Sequence, residues 1–114
     1  MQLDTETIGN AFVIRIAESR IDAAVAIQFK DQMRALMNGT TGRVIADMGR
    51  VDFLDSSGLG AVVASMKYLG PDRKLELAAL TPTVAKVFHL TRMDSVFTIH
   101  PDMNAALGAG ANAA

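Results

Sequence analysis

The residues best suited to chemistry lie in one stretch, Val51-Asp52-Phe53-Leu54-Asp55-Ser56-Ser57-Gly58-Leu59-Gly60, where a carboxylate and two hydroxyls fall at the junction of a loop and a helix. A helix N-terminus offers unpaired backbone N–H groups and the positive end of the macrodipole, so a phosphate esterified to Ser56 would be tolerated there. Such a phosphate adds about −1.5 to −2 charges at pH 7 beside Asp55, with Asp22 as a further acid at the start of another helix. Like-charge contacts at an interface can cost several kcal/mol, and a tenfold change in affinity needs only about 1.4 kcal/mol, so one phosphate is enough to release a docked partner. The same spacing also suits a purely structural part for Ser56, as an N-cap worth about 1 kcal/mol over alanine. Gly58 and Gly60 are out of place in a plain helix start, since each costs roughly 0.5–1 kcal/mol relative to alanine. The close approach of another backbone or surface accounts for them.

Other chemistries find no support. The chain has no glycine two residues before either serine, as a nucleophile elbow requires, and its two histidines are poor candidates for a base. His89 falls inside a predicted helix beside Phe88, and His100 ends a strand before Pro101. P-loop, dinucleotide and metal-ligand spacings are missing, so neither a cofactor nor a metal is expected, and the chain does not read as an enzyme. Arg43, Arg50, Arg73 and Lys74 are scattered without interleaved aromatics, which argues against direct contact with nucleic acid.

The elements that must position this stretch follow from periodicity. Residues 2–8 and 11–17 form an antiparallel hairpin about Gly9-Asn10, with Phe12, Ile14 and Ile16 on one face. Asp22 starts a helix over 23–38 whose inward side carries Val25, Ala26, Phe29, Met33, Leu36 and Met37, leaving Ile27 pointing outward. Arg43-Val44-Ile45-Ala46-Asp47-Met48 reads as a central strand of the type buried on both faces. A second helix, 57–69, places Leu59, Val62, Val63, Met66 and Leu69 inward and Ala61, Ala64, Ser65 and Tyr68 outward. A strand over 74–79 leads to Thr81-Pro82, a helix start with Thr as N-cap and Pro at the first position. A short strand near 96–99 and a helix from Pro101 to Leu107 finish the pattern. The fold class is α/β: a mixed four- to five-stranded sheet, antiparallel in its first hairpin and then mainly parallel, packed with about four helices.

The 114 residues suffice for one domain, placed at 1–107, with 108–114 as a flexible tail. A formal charge of −1 creates no global field toward an anionic partner. The lack of cysteine, an acidic N-terminus and no apolar run near the roughly 18 to 20 residues of a membrane span lead to the expectation of a cytoplasmic protein without direct membrane insertion.

Phe53-Leu54-Asp55-Ser56-Ser57-Gly58-Leu59-Gly60, with Val44 to Met48 before it and Leu80-Thr81-Pro82-Thr83-Val84-Ala85-Lys86-Val87-Phe88 after it, resembles the STAS domain family, in particular the bacterial anti-sigma-factor antagonists. The resemblance spans nearly the whole chain. It implies a module that binds an anti-sigma factor, usually also a serine kinase, and that is phosphorylated by that kinase and reset by a cognate phosphatase. The family's phosphoacceptor, the serine directly after the aspartate, matches Ser56, and Asp22 matches an aspartate at the end of the second strand. The partner surface expected on this basis comprises Asp22, Ile27, Asp55, Ser56, Ser57, Gly58, Gly60, Ala61, Ala64 and Tyr68. Glu18-Ser19-Arg20-Ile21-Asp22 departs from the family's usual Gly-Glu-Leu-Asp-like turn, being one residue longer and without glycine. The alternative that the resemblance leaves is a constitutive STAS subunit of a signalling assembly or lipid transporter, not switched by phosphorylation.

Overall fold

A computed structural model describes residues 1–111. Strands β1 (Leu3–Ile8) and β2 (Ala11–Ile16) form the expected antiparallel hairpin, turning at Gly9, whose φ of +59° is the left-handed conformation a tight turn needs. A two-residue strand β3 (Arg20–Ile21) precedes helix α1 (Ala26–Met37) and strand β4 (Arg43–Asp47). A second two-residue strand, β5 (Phe53–Leu54), feeds helix α2 (Ser56–Met66), which tightens into a 3₁₀ turn at Lys67–Leu69. Strand β6 (Leu75–Ala78), helix α3 (Pro82–Leu90), strand β7 (Thr98–His100) and helix α4 (Met103–Ala111) complete the order.

The main sheet runs β1-β2-β4-β6-β7, parallel everywhere except the β1/β2 pair. Strand β4 is therefore central, as its apolar run requires, with Val44, Ile45 and Ala46 buried. Alternation divides the core in two. Ile14, Ile16, Val44, Ala46, Leu75 and Leu77 face α1, α2 and α3, meeting Phe29, Met33, Ala61, Val62, Val84 and Phe88. Ala11, Val13, Ile45 and Ala78 face the other way, where α4 covers them with Ala106, flanked by Met103 and Leu107. Each fully buried Phe, Leu or Met contributes about 1.5–3 kcal/mol relative to exposure.

Beneath α4 lies a partly buried charged cluster on the sheet. Glu76 receives two hydrogen bonds from Arg43, at 2.9 and 2.6 Å, and lies 2.8 Å from His100 Nε2. Arg43 also donates to the Ala106 carbonyl of α4 at 2.8 Å. Burial pushes the Glu76 carboxyl up, but the hydrogen bonds from Arg43 and His100 prevail and hold it below the usual carboxylate range. His100 thus has a structural partner, while His89 is exposed and pairs with Asp94 at 3.0 Å.

Four expectations need correction. Helix α1 begins at Ala26, not 23, because Asp22 Oδ1 accepts from Ala24 N at 3.1 Å and closes a turn over 23–25 instead of capping the helix. The β3/β5 pair, a separate two-stranded parallel sheet, was not foreseen, since two residues are too few to show a period. Helix α4 continues through Gly108 to Ala111, so the expected tail is helical at its start, and residues 112–114 lie outside the described residues. Finally, α2 is rotated from its expected setting, so that Gly58, Ala61, Val62 and Ser65 are buried while Leu59, Val63 and Met66 flank them.

Candidate functional site

The loop between β4 and α2 is fixed at four points. Val51 is buried, its N–H donates to the Met48 carbonyl, and its own carbonyl accepts from Thr81 Oγ1 at 2.8 Å. Thr81 stands at the N-cap position of α3 without capping it, because its hydroxyl is spent on this contact. Asp52 N and Phe53 N both donate to the Ser19 carbonyl, which ties the loop to the segment entering β3. The β3/β5 register then sets Arg20 opposite Phe53, and the guanidinium lies 4.2 Å from the ring centroid, a cation–π contact.

This framework delivers Asp55, and Asp55 organises the site. Its Oδ1 accepts from Gly58 N at 2.8 Å, which makes Asp55, not Ser56, the N-cap of α2. Its Oδ2 accepts from Ala23 N at 3.1 Å, so a single carboxylate joins the approaches to two helices. The Gly58 N–H, with those of Ala23 and Ser57, holds the Asp55 carboxyl below its ordinary range against the opposing effect of desolvation. Asp22 lies alongside, with Arg20 Nε 3.3 Å from its Oδ2.

Ser56 is consequently the first residue of α2, and it is exposed, as is Ser57. Neither hydroxyl forms a hydrogen bond among the described residues. The fold does not use Ser56 as a cap, and its oxygen stands in water at the positive end of α2 beside an ionised aspartate.

Gly58 has a separate explanation. A Cβ there would fall 1.8 Å from the Ile21 carbonyl oxygen and 2.8 Å from its carbon, so α2 crosses β3 at a distance only glycine permits. This contact rotates the helix and buries Ala61 and Ser65, the latter donating to the Ala61 carbonyl at 2.8 Å. Two of the four residues expected outward on this helix, Ala61 and Ser65, are therefore inside, and the Ala61 side chain does not belong to the exposed face. Small size was the signal for a close-packed face that the apolar pattern concealed. Gly60 is different: it is exposed, and a Cβ there would meet nothing within 4 Å.

Of the sequence-predicted residues, Asp22, Asp55, Ser56 and Ser57 converge at the joined starts of α1 and α2. Ile27, in the first turn of α1, is 70% exposed at the same end. Gly60 and the half-buried Ala64 continue along α2. Tyr68 is not brought to this cluster. It lies in the 3₁₀ turn at the far end of the helix, about 18 Å from Ser56 by helical rise, with Arg34 set 5.8 Å from its ring centroid. Sequence reasoning missed Arg20 and the partly exposed Phe53 as a pair, which only the β3/β5 register reveals.

Among the described residues no group of His, Cys, Asp or Glu side chains could hold a metal, and no helix is long and apolar enough to cross a membrane. The family model of the STAS domain matches residues 2–106. The Bordetella bronchiseptica protein BtrV, which carries the name anti-sigma factor antagonist, is 29% identical over 110 residues, covering 96% of this chain and 94% of its own. An anti-sigma factor antagonist from Mycobacterium paratuberculosis superimposes with a TM-score of 0.84 at 25% identity, over 95% of this chain and 92% of that one. SpoIIAA in its unphosphorylated form superimposes with a TM-score of 0.75 at 23% identity, over 97% of both chains, and the protein from Bacillus is also solved in a phosphorylated form. At that identity the SpoIIAA likeness is one of fold.

Proposed function

The chain belongs to the STAS domain family, and from that membership we propose that it is an anti-sigma-factor antagonist whose grip on its partner is released by phosphorylation of Ser56. The partner is an anti-sigma factor that is also the serine kinase, and a phosphatase returns the antagonist to its binding form. One observation carries the proposal: Ser56 is exposed at the first position of α2 and free of the capping duty, which Asp55 performs. A residue so placed can be modified without dismantling the fold, and the modification changes the surface more than the interior.

The partner surface consists of Ser56 and Ser57, Ile27, Gly60 and Ala64, with Arg20 and Phe53 at its edge. Asp22, Asp55 and Gly58 support that surface by fixing the chain beneath it. Ala61 acts from within the core. Phosphate on Ser56 places about two further negative charges beside the Asp55 carboxylate, and an interface tuned to the unmodified surface loses affinity through that repulsion. The reading excludes chemistry by the chain itself: Ser56 receives a phosphoryl group and transfers nothing.

Incubation with the cognate kinase and ATP, followed by phosphopeptide mapping, tests the acceptor. Wild-type protein acquires phosphate on Ser56 and Ser56→Ala acquires none. Label that persists in Ser56→Ala assigns the acceptor elsewhere. A stoichiometric complex with a membrane transporter, unaffected by Ser56→Asp, favours the constitutive-subunit alternative.

A further inference from the structure

The net charge of −1 conceals a separation of charge along the molecule. The segments 18–22 and 47–55, which flank Ser56, carry Glu18, Asp22, Asp47, Asp52 and Asp55 against only Arg20 and Arg50. The segment 67–74 carries Lys67, Arg73 and Lys74 against only Asp72. Because β4 and β6 are parallel, the chain leaves β4 near Ser56 and enters β6 at the other end, so α2 and its 3₁₀ turn separate the two segments by about 20 Å.

At that second end a concavity of about 430 Å³ is lined by the cations Lys67, Arg73 and Lys74 together with Met66, Pro71 and Val96. None of the three cations pairs with a carboxylate among the described residues. Arg73 is held in place by neutral acceptors: its Nε donates to the Gly42 carbonyl at 3.0 Å, NH1 to the Thr40 carbonyl at 2.8 Å and NH2 to Thr40 Oγ1 at 3.0 Å. Its charge is thus fixed in position and not neutralised. Lys67 and Lys74 are exposed and free to close over an occupant.

We propose that this hollow, with its basic and apolar lining, is a second docking surface, remote from Ser56, for an acidic segment of a protein partner that seats one apolar side chain against Met66, Pro71 and Val96. Charge complementarity selects the acidic character, and the apolar lining residues Met66, Pro71 and Val96 select the apolar anchor. The rim is too open to enclose most of a small ligand, as small-molecule sites do. The Ser56 surface is occupied independently, so the protein can hold two partners at opposite ends.

Selection from a random displayed-peptide library against the full chain, followed by NMR titration with the enriched peptides, tests this. The expected peptides are acidic with one aliphatic or aromatic residue, and they shift the amides of Lys67, Gly70, Lys74 and Val96 but not those of 52–58. The double variant Lys67→Glu/Lys74→Glu, with its fold checked by amide dispersion, should weaken binding by at least about tenfold, and Ser56→Asp should leave it unchanged. Enriched peptides lacking acidic residues, shifts confined to another face, or undiminished binding by the double variant would overturn the proposal. So would binding of the wild-type chain to phosphatidylglycerol vesicles that the double variant abolishes, with no peptide enriched at this surface.

Discussion

Gly58 and Gly60, separated by one residue, behave oppositely because their surroundings differ. Gly58→Ala drives a Cβ into the Ile21 backbone, which cannot swing aside, so the variant should lose about 3 kcal/mol in denaturant unfolding or fail to fold. Gly60→Ala meets open space within a helix and should gain about 0.5–1 kcal/mol by the same measurement. If the bare backbone at Gly60 serves partner contact, the same variant binds its partner less tightly while being more stable. Asp55 carries the other residue-scale expectation. Its carboxyl titrates below the unfolded value, so its contribution is present above the unfolded pKa and is lost as pH falls through the folded one. Unfolding midpoints followed from neutral to acid pH should therefore decline less steeply for Asp55→Asn than for wild type, from a lower starting stability at neutral pH.

Elements were legible wherever a period had room to repeat. The β1/β2 hairpin, the doubly buried β4, Pro82 at the first position of α3 and the exposed Ile27 of α1 all follow from pattern. The motif around Asp55 was legible as a helix start, but the assignment of the cap was not, since neighbouring Asp and Ser are equally good caps and only the bond from Gly58 N to Asp55 Oδ1 decides between them. The rotation of α2 was hidden because its buried face is made of Gly58, Ala61 and Ser65, residues that a hydrophobic wheel ignores and a close crossing selects. The seat of α4 was hidden too, because Arg43, Glu76 and His100 are dispersed in sequence and adjacent only across β4, β6 and β7. Their side chains retain 13–19% exposure, so Glu76→Gln, which leaves Arg43 largely buried without its counter-charge, should cost about 3 kcal/mol. Hydrogen exchange should show α4 losing protection in that variant before the sheet does.

At the scale of the molecule, one end gathers acids, two helix starts and an exposed serine, and the other gathers cations around an apolar hollow. Between them the central strand is buried on both faces, and the approaches to α1 and α2 are joined through Asp55. Under the proposed switch, a phosphate at Ser56 would act as a local change of surface charge, not as a trigger for refolding. The direct test is the affinity for the cognate anti-sigma factor, measured by calorimetry for wild type, Ser56-phosphorylated protein, Ser56→Asp and Ser56→Ala. Phosphorylated protein and Ser56→Asp should each bind at least about tenfold more weakly than wild type, with Ser56→Ala close to wild type. Equal affinity of the phosphorylated and unphosphorylated protein would contradict the switch.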